Sequence, residues 1–156
     1  MPPPTPDVPR VEERFSFLIH RINAQLARIC NPRFRRWKVD IDMARMLAVL
    51  DQEGAMAAGD IVRVMALPQS TVSHQLKRLE KLGYLARTLD PRDSRMVIAT
   101  LTPDGRAVAR EANALSRQVT SYLIQALDDL DGRTFRETLK RMDAVLAAKR
   151  TVAADE

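Results

Sequence analysis

Pro68 to Thr102 reads PQSTVSHQLKRLEKLGYLARTLDPRDSRMVIATLT. From its left end this is a helix, a glycine stop and a two-strand hairpin with a charged tip. The helix opens at Gln69-Ser70-Thr71, any of which can cap its unpaired N–H groups. Val72, Leu76, Leu79 and Leu82 recur at helical spacing and predict one buried stripe. The opposite face then carries Ser70, Thr71, Ser73, His74, Gln75, Lys77, Arg78 and Lys81. Gly83 stands just past the last leucine, where a helix is expected to end in the left-handed conformation.

That polar face has the chemistry for duplex DNA. Short hydrogen-bonding side chains at a helix N-terminus reach base edges and phosphates in the major groove. Lys77, Arg78 and Lys81 can neutralise phosphates. An ordinary solvated helix looks similar, so the neighbours decide. Upstream, Met56 to Met65 reads as a short helix, joined through Ala66-Leu67-Pro68 to the next; such a pair is a helix-turn-helix. Downstream, Tyr84 to Leu89 is strand-like, and Asp90-Pro91-Arg92-Asp93-Ser94-Arg95 is a turn, because Pro91 has no N–H to give a ladder. Met96 to Leu101 is a second strand, with Val97, Ala99 and Leu101 on one face. A helix-turn-helix followed by a hairpin with a basic tip is a winged helix. Arg92 and Arg95 at the tip are placed to approach an adjacent minor groove.

Three blocks of this stretch resemble the multiple-antibiotic-resistance regulator (MarR) family: TVSHQLKRLEKLGYLAR, then DPRDSR, then LTPDG. They are similar to that family's helix-turn-helix ending, its D-x-R wing tip, and the L-T-x-x-G that opens its long dimerisation helix. Ser94 departs from the basic residue many members carry, and His74 from a frequent arginine. The resemblance implies a mainly α fold with a small β-hairpin wing, flanking dimerisation helices, and a DNA-binding regulator.

Outside the blocks, MPPPTPDVP at residues 1–9 is expected to be an extended tail without a secretory leader. From Arg10 to Cys30, Val11, Phe15, Leu18, Ile19, Ile22, Leu26 and Ile29 alternate at three- and four-residue steps and predict an amphipathic helix, ended by Asn31-Pro32. Arg33-Phe34-Arg35-Arg36-Trp37-Lys38 is a basic aromatic connector. Asp40 to Leu50 predicts a second helix, ended by Asp51-Gln52-Glu53-Gly54. Thr102-Pro103-Asp104 starts a long helix, with Thr102 as cap and Pro103 in the first position. Its stripe is Val108, Ala112, Leu115, Val119, Tyr122, Leu123, Ala126 and Leu127; Asp128 to Gly132 is expected to break it. A last helix runs from Arg133 to Lys149 with Phe135, Leu139, Met142, Val145 and Leu146 apolar. The expected organisation is a tail over 1–9, one domain over 10–150 and a frayed tail over 151–156. Within the domain, 10–30 and 102–150 are dimerisation helices and 40–101 is the DNA-binding lobe. Apolar stripes outside the lobe need a partner surface, and a two-fold homodimer is the simple solution.

A chain of 156 residues with 46% apolar residues holds one domain with a real core. No apolar run is long enough to span a bilayer, and a single cysteine fits a reducing cytoplasm. The net charge is +5 and is unevenly spread. Residues 1–50 hold nine Lys/Arg against five Asp/Glu and 68–95 hold six against three, while 102–156 hold nine of each. The excess therefore lies in the N-terminal part and the helix-wing unit, as a localised polyanion footprint requires. No nucleophile–base constellation, phosphate-cradling loop or metal-ligand cluster is present, so neither catalysis nor a cofactor is expected.

The candidate DNA contacts are Gln69, Ser70, Thr71, Ser73, His74, Gln75, Lys77, Arg78, Arg92, Asp93 and Arg95, with double-stranded operator DNA as partner. The resemblance adds a small aromatic-acid effector between the dimer helices and the lobe, for which Phe15, Ile19, Arg36 and Trp37 are the candidate contacts. Trp37 either lines that pocket or plugs the core beneath the connector. Cys30 is either a buried apolar residue or an oxidant sensor. A constitutive architectural DNA-binding protein, or a winged-helix adaptor for protein, is the alternative to a ligand-responsive repressor.

Overall fold

The computed structural model describes residues 9–125 and 132–153. The expected tail before Pro9, Ala126 and Leu127 of the long-helix stripe, the break at Asp128 to Asp131 and the end beyond Ala153 lie outside them. The chain divides into two units between Ser116 and Arg117.

In the first unit, α1 (Phe15–Phe34) follows a 3-10 turn at Val11–Glu13. It does not stop at Asn31-Pro32. Pro32 lies inside its last turn and costs the helix one N–H bond, yet the helix continues to Phe34, where the Arg35 N–H closes back onto the Asn31 carbonyl. The Asn31 side chain instead accepts from Ile41 N–H at 2.8 Å, bracing the start of α2 (Ile41–Glu53). Asp40 caps α2 by accepting from Met43 N–H at 2.9 Å. Asp51, Gln52 and Glu53 form its last turn rather than a break, and Gly54 ends it at φ 85°.

Met56–Ala57, expected as the start of a helix, is a short strand, β1, paired antiparallel with β3. The two residues are too few to show a strand period, and their apolar side chains suit either state. α3 (Ala58–Met65) and α4 (Gln69–Lys81) make the helix-turn-helix, joined through Ala66 in the left-handed conformation at φ 51°. β2 (Leu85–Leu89) pairs with β3 (Val97–Leu101) from Leu85 opposite Leu101 to Leu89 opposite Val97, giving the sheet order β1-β3-β2. Met43, Met46, Leu47 and Leu50 of α2, Ile61 of α3, Val72, Leu76 and Leu79 of α4, and Leu85 and Ala99 of the sheet are buried and form the core.

The end of α4 fixes the start of α5 (Pro103–Gln125). Gly83 at φ 79° lets its own N–H reach the Glu80 carbonyl at 2.9 Å and the Tyr84 N–H reach Leu79 at 3.0 Å, the double bond of a Schellman end. The Thr102 hydroxyl donates to the Gly83 carbonyl at 2.6 Å and accepts from Gly105 N–H at 3.0 Å, so the cap of α5 is tied to the end of α4. Gly105 lies directly against the strand: a Cβ there would fall 1.7 Å from the Tyr84 carbonyl oxygen.

In the second unit, α5 continues from Arg117 to Gln125 and α6 spans Gly132–Ala153, so Gly132 opens that helix and the helix passes Lys149. Tyr122, Leu123 and Ile124, and Phe135, Leu139, Val145 and Leu146, are exposed.

Gly105→Ala is expected to destabilise the fold by about 3 kcal/mol, as overpacking against immovable backbone does. Gly59→Ala in α3, where nothing lies within 4 Å, should be neutral or stabilising. Paired thermal melts check this; equal melting temperatures would mean the Gly105 contact is not rigid.

Candidate nucleic-acid interface

α4 begins without a side-chain cap. Pro68 holds the capping position and its carbonyl accepts from Val72 N–H at 3.0 Å. Gln69, Ser70 and Thr71 therefore keep their side-chain groups for other partners. Gln69, Ser70, Ser73, His74, Lys77 and Lys81 are exposed, as is Arg78, whose guanidinium lies 3.5 Å from Asp40. Thr71 is half-buried.

Gln75 is not on that face. Only 7% of it is exposed and its Oε1 has no hydrogen-bond partner. Its position explains this: three residues after Val72 and four before Leu79, it lies within the apolar stripe, so helical geometry overrides its polarity. It is withdrawn from the set of contacts.

The wing tip is built by two successive D-x-R units. Asp90 Oδ1 accepts from Arg92 N–H at 2.7 Å, and Asp93 Oδ1 from Arg95 N–H at 3.0 Å. Each aspartate shapes the backbone two residues on, as Asx turns do, and throws the next arginine outward. The side chains of Arg92 and Arg95 are 93% and 94% exposed. Their Nε atoms lie 3.8 and 3.9 Å from the same carboxylates, too far for hydrogen bonds, so Asp93 sets the turn more than it holds the guanidinium.

A cavity of about 400 Å³ opens between α3, α4 and the wing. It brings Gln69 and Ser73 of α4 together with Arg95 of the tip; Asp60 and Arg87 also line it. Arg87 was not singled out from the sequence, although both it and Glu80 stand in the run that carries the resemblance. They are paired: Arg87 Nε donates to Glu80 Oε2 at 2.9 Å. That hydrogen bond, ahead of all other causes, holds the Glu80 carboxyl below the usual carboxylate range. The pair thus contributes at neutral pH and is lost as pH falls through the lowered Glu80 value.

The four candidate effector contacts do not converge within one protomer. Phe15 is 80% exposed at the start of α1, about 30 Å of helix away from the connector. Ile19, one turn on, is also exposed. Trp37 is buried, 6.1 Å from the Phe34 ring, and its carbonyl accepts from the Tyr84 hydroxyl at 3.1 Å. The Arg36 guanidinium covers the indole at 3.9 Å and reaches Glu111 of α5 at 3.2 Å. An aromatic acid seated here would need a ring for stacking and a spare cation for its carboxylate, and each already has a partner within the chain. Cys30 is buried and unpaired in any disulfide. Burial pushes its thiol above the ordinary value, against smaller opposing effects of Arg33 and Arg45, which disfavours a reactive thiolate.

Residues 44–96, the helix-turn-helix and most of the wing, match the profile of the MarR family. That region is a MarR-family DNA-binding region. An HTH-type transcriptional repressor of Mycobacterium tuberculosis, Rv2887, is 24% identical over 126 residues, covering 81% of this chain and 91% of the relative. The MepR–DNA complex of S. aureus shares the fold with a TM-score of 0.72 at 18% identity over 86% of this chain and 98% of that one. A mutant MarR from E. coli complexed with operator DNA gives 0.66 at 22% identity, over 84% and 92%. The MarR-type region and these relatives are those of DNA-binding transcription regulators, not of enzymes. Among the described residues, no helix is long and apolar enough to cross a membrane.

Gln75→Leu is expected to raise stability by about 1 kcal/mol, because it removes a buried acceptor without a partner, and to leave DNA preference unchanged. A chemical melt and a binding titration check both halves; altered sequence preference would return Gln75 to the interface. Cys30 should react with an aromatic disulfide reagent only as the chain unfolds. Rapid labelling of the native protein would restore the sensor reading.

Proposed function

We propose that the chain is a homodimeric, cytoplasmic repressor that grips a pseudo-palindromic operator and is released by a small acidic, aromatic ligand. The observation that carries the DNA reading is the pairing of an uncapped, polar start of α4 with two arginines held outward by the tandem D-x-R turns. Ser70, Ser73 and His74 would meet base edges, with Gln69 and Thr71 beside them. Lys77 and Arg78 would neutralise phosphates. Arg92 and Arg95 would enter the minor groove, where width and charge are read rather than a unique base pattern. The relatives named as a repressor and as operator-bound support the same reading of this chain.

The dimer is supported by apolar residues left open on both units: Phe15, Leu18, Ile19 and Ile22 on α1, and Phe135, Leu139 and Val145 on α6. Soluble monomers avoid surfaces of this kind. Two-fold pairing would set two α4 helices about 34–36 Å apart, one turn of B-DNA. For the ligand, the cavity between α3, α4 and the wing is the better supported place. It is large enough for a small acid, and Ser73, Arg87 and Arg95 supply polar and cationic walls.

Mobility shifts on DNA flanking its own gene, with a panel of small aromatic acids, test the whole reading. Binding that persists under every acid would make the chain a constitutive DNA-binding protein; absence of binding would favour an adaptor. Sedimentation is expected to show a dimer at micromolar concentration, and a single 17.6 kDa species would exclude it. Arg95→Ala should weaken binding to all duplexes, and Asp93→Ala should show part of that loss. Ser73→Ala should change the preferred sequence, whereas Lys77→Ala should mainly lower the salt slope by about one unit. Equal losses on specific and random DNA for Ser73→Ala would contradict the groove assignment.

A further inference from the structure

We propose that the connector between α1 and α2 is a second phosphate-contacting surface. Arg33, Arg35 and Lys38 grip the backbone of the same duplex, outside the stretch read by α4 and the wing. The inference rests on the DNA-binding reading above.

Residues 14–38 contain seven Lys/Arg and no Asp/Glu. Elsewhere in this unit the fold supplies carboxylates to its exposed arginines. Arg45 has Asp42 at 3.4 Å, Arg63 has Asp60 at 2.7 Å, and Arg106 and Arg110 share Asp51 at 3.5 and 3.7 Å. Within the connector only Arg36 is neutralised, by Glu111. Arg33, Arg35 and Lys38 are exposed and have no ion pair among the described residues. Crowding like charges without a counter-charge is unfavourable, and a polyanion relieves it.

Placement separates this cluster from an ordinary solvated charge run. His74, Lys77, Arg78 and Lys81 share one face of α4 by their three- and four-residue spacing. Arg78 on that face reaches Asp40, two residues beyond Lys38, at 3.5 Å. The cationic face of α4 therefore continues onto the connector. The connector is also held in place. Trp37 is buried with its carbonyl on the Tyr84 hydroxyl, and Lys38 follows in the left-handed conformation at φ 59°, closed by its N–H on the Arg35 carbonyl at 2.9 Å. A non-glycine residue kept at positive φ by its surroundings has an over-determined backbone. The cations project from a fixed turn rather than a floppy loop, so gripping phosphates has only their side chains to order.

The test uses the full chain and DNA flanking its own gene. One duplex is trimmed to the stretch that the triple variant described below protects from a nuclease. The other carries one further helical turn, about ten base pairs, on each side. Anisotropy titrations across a potassium chloride series compare wild type, the triple variant Arg33→Gln/Arg35→Gln/Lys38→Gln, and Lys77→Gln. The wild type should bind the longer duplex more tightly and with a steeper salt dependence. The triple variant should lose that length advantage and about two to three units of salt slope per protomer, at about 0.9 per phosphate contact. Its melting temperature and its preference for the specific sequence should be unchanged. Lys77→Gln should lower the slope on both lengths. A triple variant with wild-type slope and length advantage, while Lys77→Gln responds, overturns the connector surface alone. If neither variant responds, or the wild type binds no duplex, the DNA reading itself falls. Loss of binding to phosphatidylserine-containing vesicles by the triple variant, with DNA slopes unchanged, overturns the proposal in favour of a lipid surface.

Discussion

The carbonyl of Tyr84 is where the elements of the first unit are held in register. Its oxygen accepts the Thr102 N–H at 3.1 Å, and Gly105 lies so close that no side chain fits between. The residue before it ends α4, and the Thr102 hydroxyl that caps α5 donates back to that residue's carbonyl. The Tyr84 ring ends in a hydroxyl bound to the Trp37 carbonyl. One three-residue corner thus fixes the exit of the proposed reading helix, the last pair of the β2–β3 ladder, the origin of α5 and the connector. The glycines at 83 and 105 are needed for different reasons. Gly83 supplies a positive φ, and Gly105 supplies an absence of volume.

The arrangement of charge follows a rule that the sum of +5 conceals. Where an arginine braces the fold, a carboxylate is set beside it, as Glu80 is beside Arg87 and Asp51 beside Arg106. At the start of α4 and at the wing tip the pattern changes. The aspartates of the tip spend their hydrogen bonds on backbone N–H groups and hold the guanidinium groups only loosely, at 3.8 and 3.9 Å. Exposed ion pairs of the bracing kind are worth about 0–1 kcal/mol each, so they tune placement more than stability. The cations held loosely or left without partners are the ones that a phosphate can pair with at little loss to the fold.

Much of this was legible in the sequence, because helix stops and turn residues act locally. Gly83, Gly54, the Thr102-Pro103 start and the hairpin around Asp90 to Arg95 needed only neighbouring residues to be read. What escaped depended on contacts distant along the chain. β1 exists because Met56 and Ala57 find Ala99 and Ile98. Asn31 looked like a stop because its side-chain partner, Ile41, is ten residues away. Gln75 was misplaced for another reason: its chemistry was read before its position, though the stripe through Val72 and Leu79 already ran through it. Arg36 and Trp37 carried the right groups for an aromatic acid, but only the fold reveals that the guanidinium lies on the indole and that Glu111 takes its charge.

That last point bears on how a ligand could act. An acid at the connector would first have to displace Glu111 from Arg36 and lift a guanidinium from a buried ring, so part of its affinity would go into undoing contacts already made. An acid in the cavity beside the wing meets a different situation. Arg95 on its wall has no close carboxylate contact, and Arg95, Gln69 and Ser73 are also candidate DNA contacts. Ligand and phosphate would then compete for the same groups. Such competition needs no change in the separation of two reading helices, and its size is set by the affinity of ligand for that wall. A release that depended on respacing the helices would instead need a coupling of about 1–3 kcal/mol carried through the packed interior. Of the two, competition asks less of a lobe whose corner at Tyr84 leaves so little room to move.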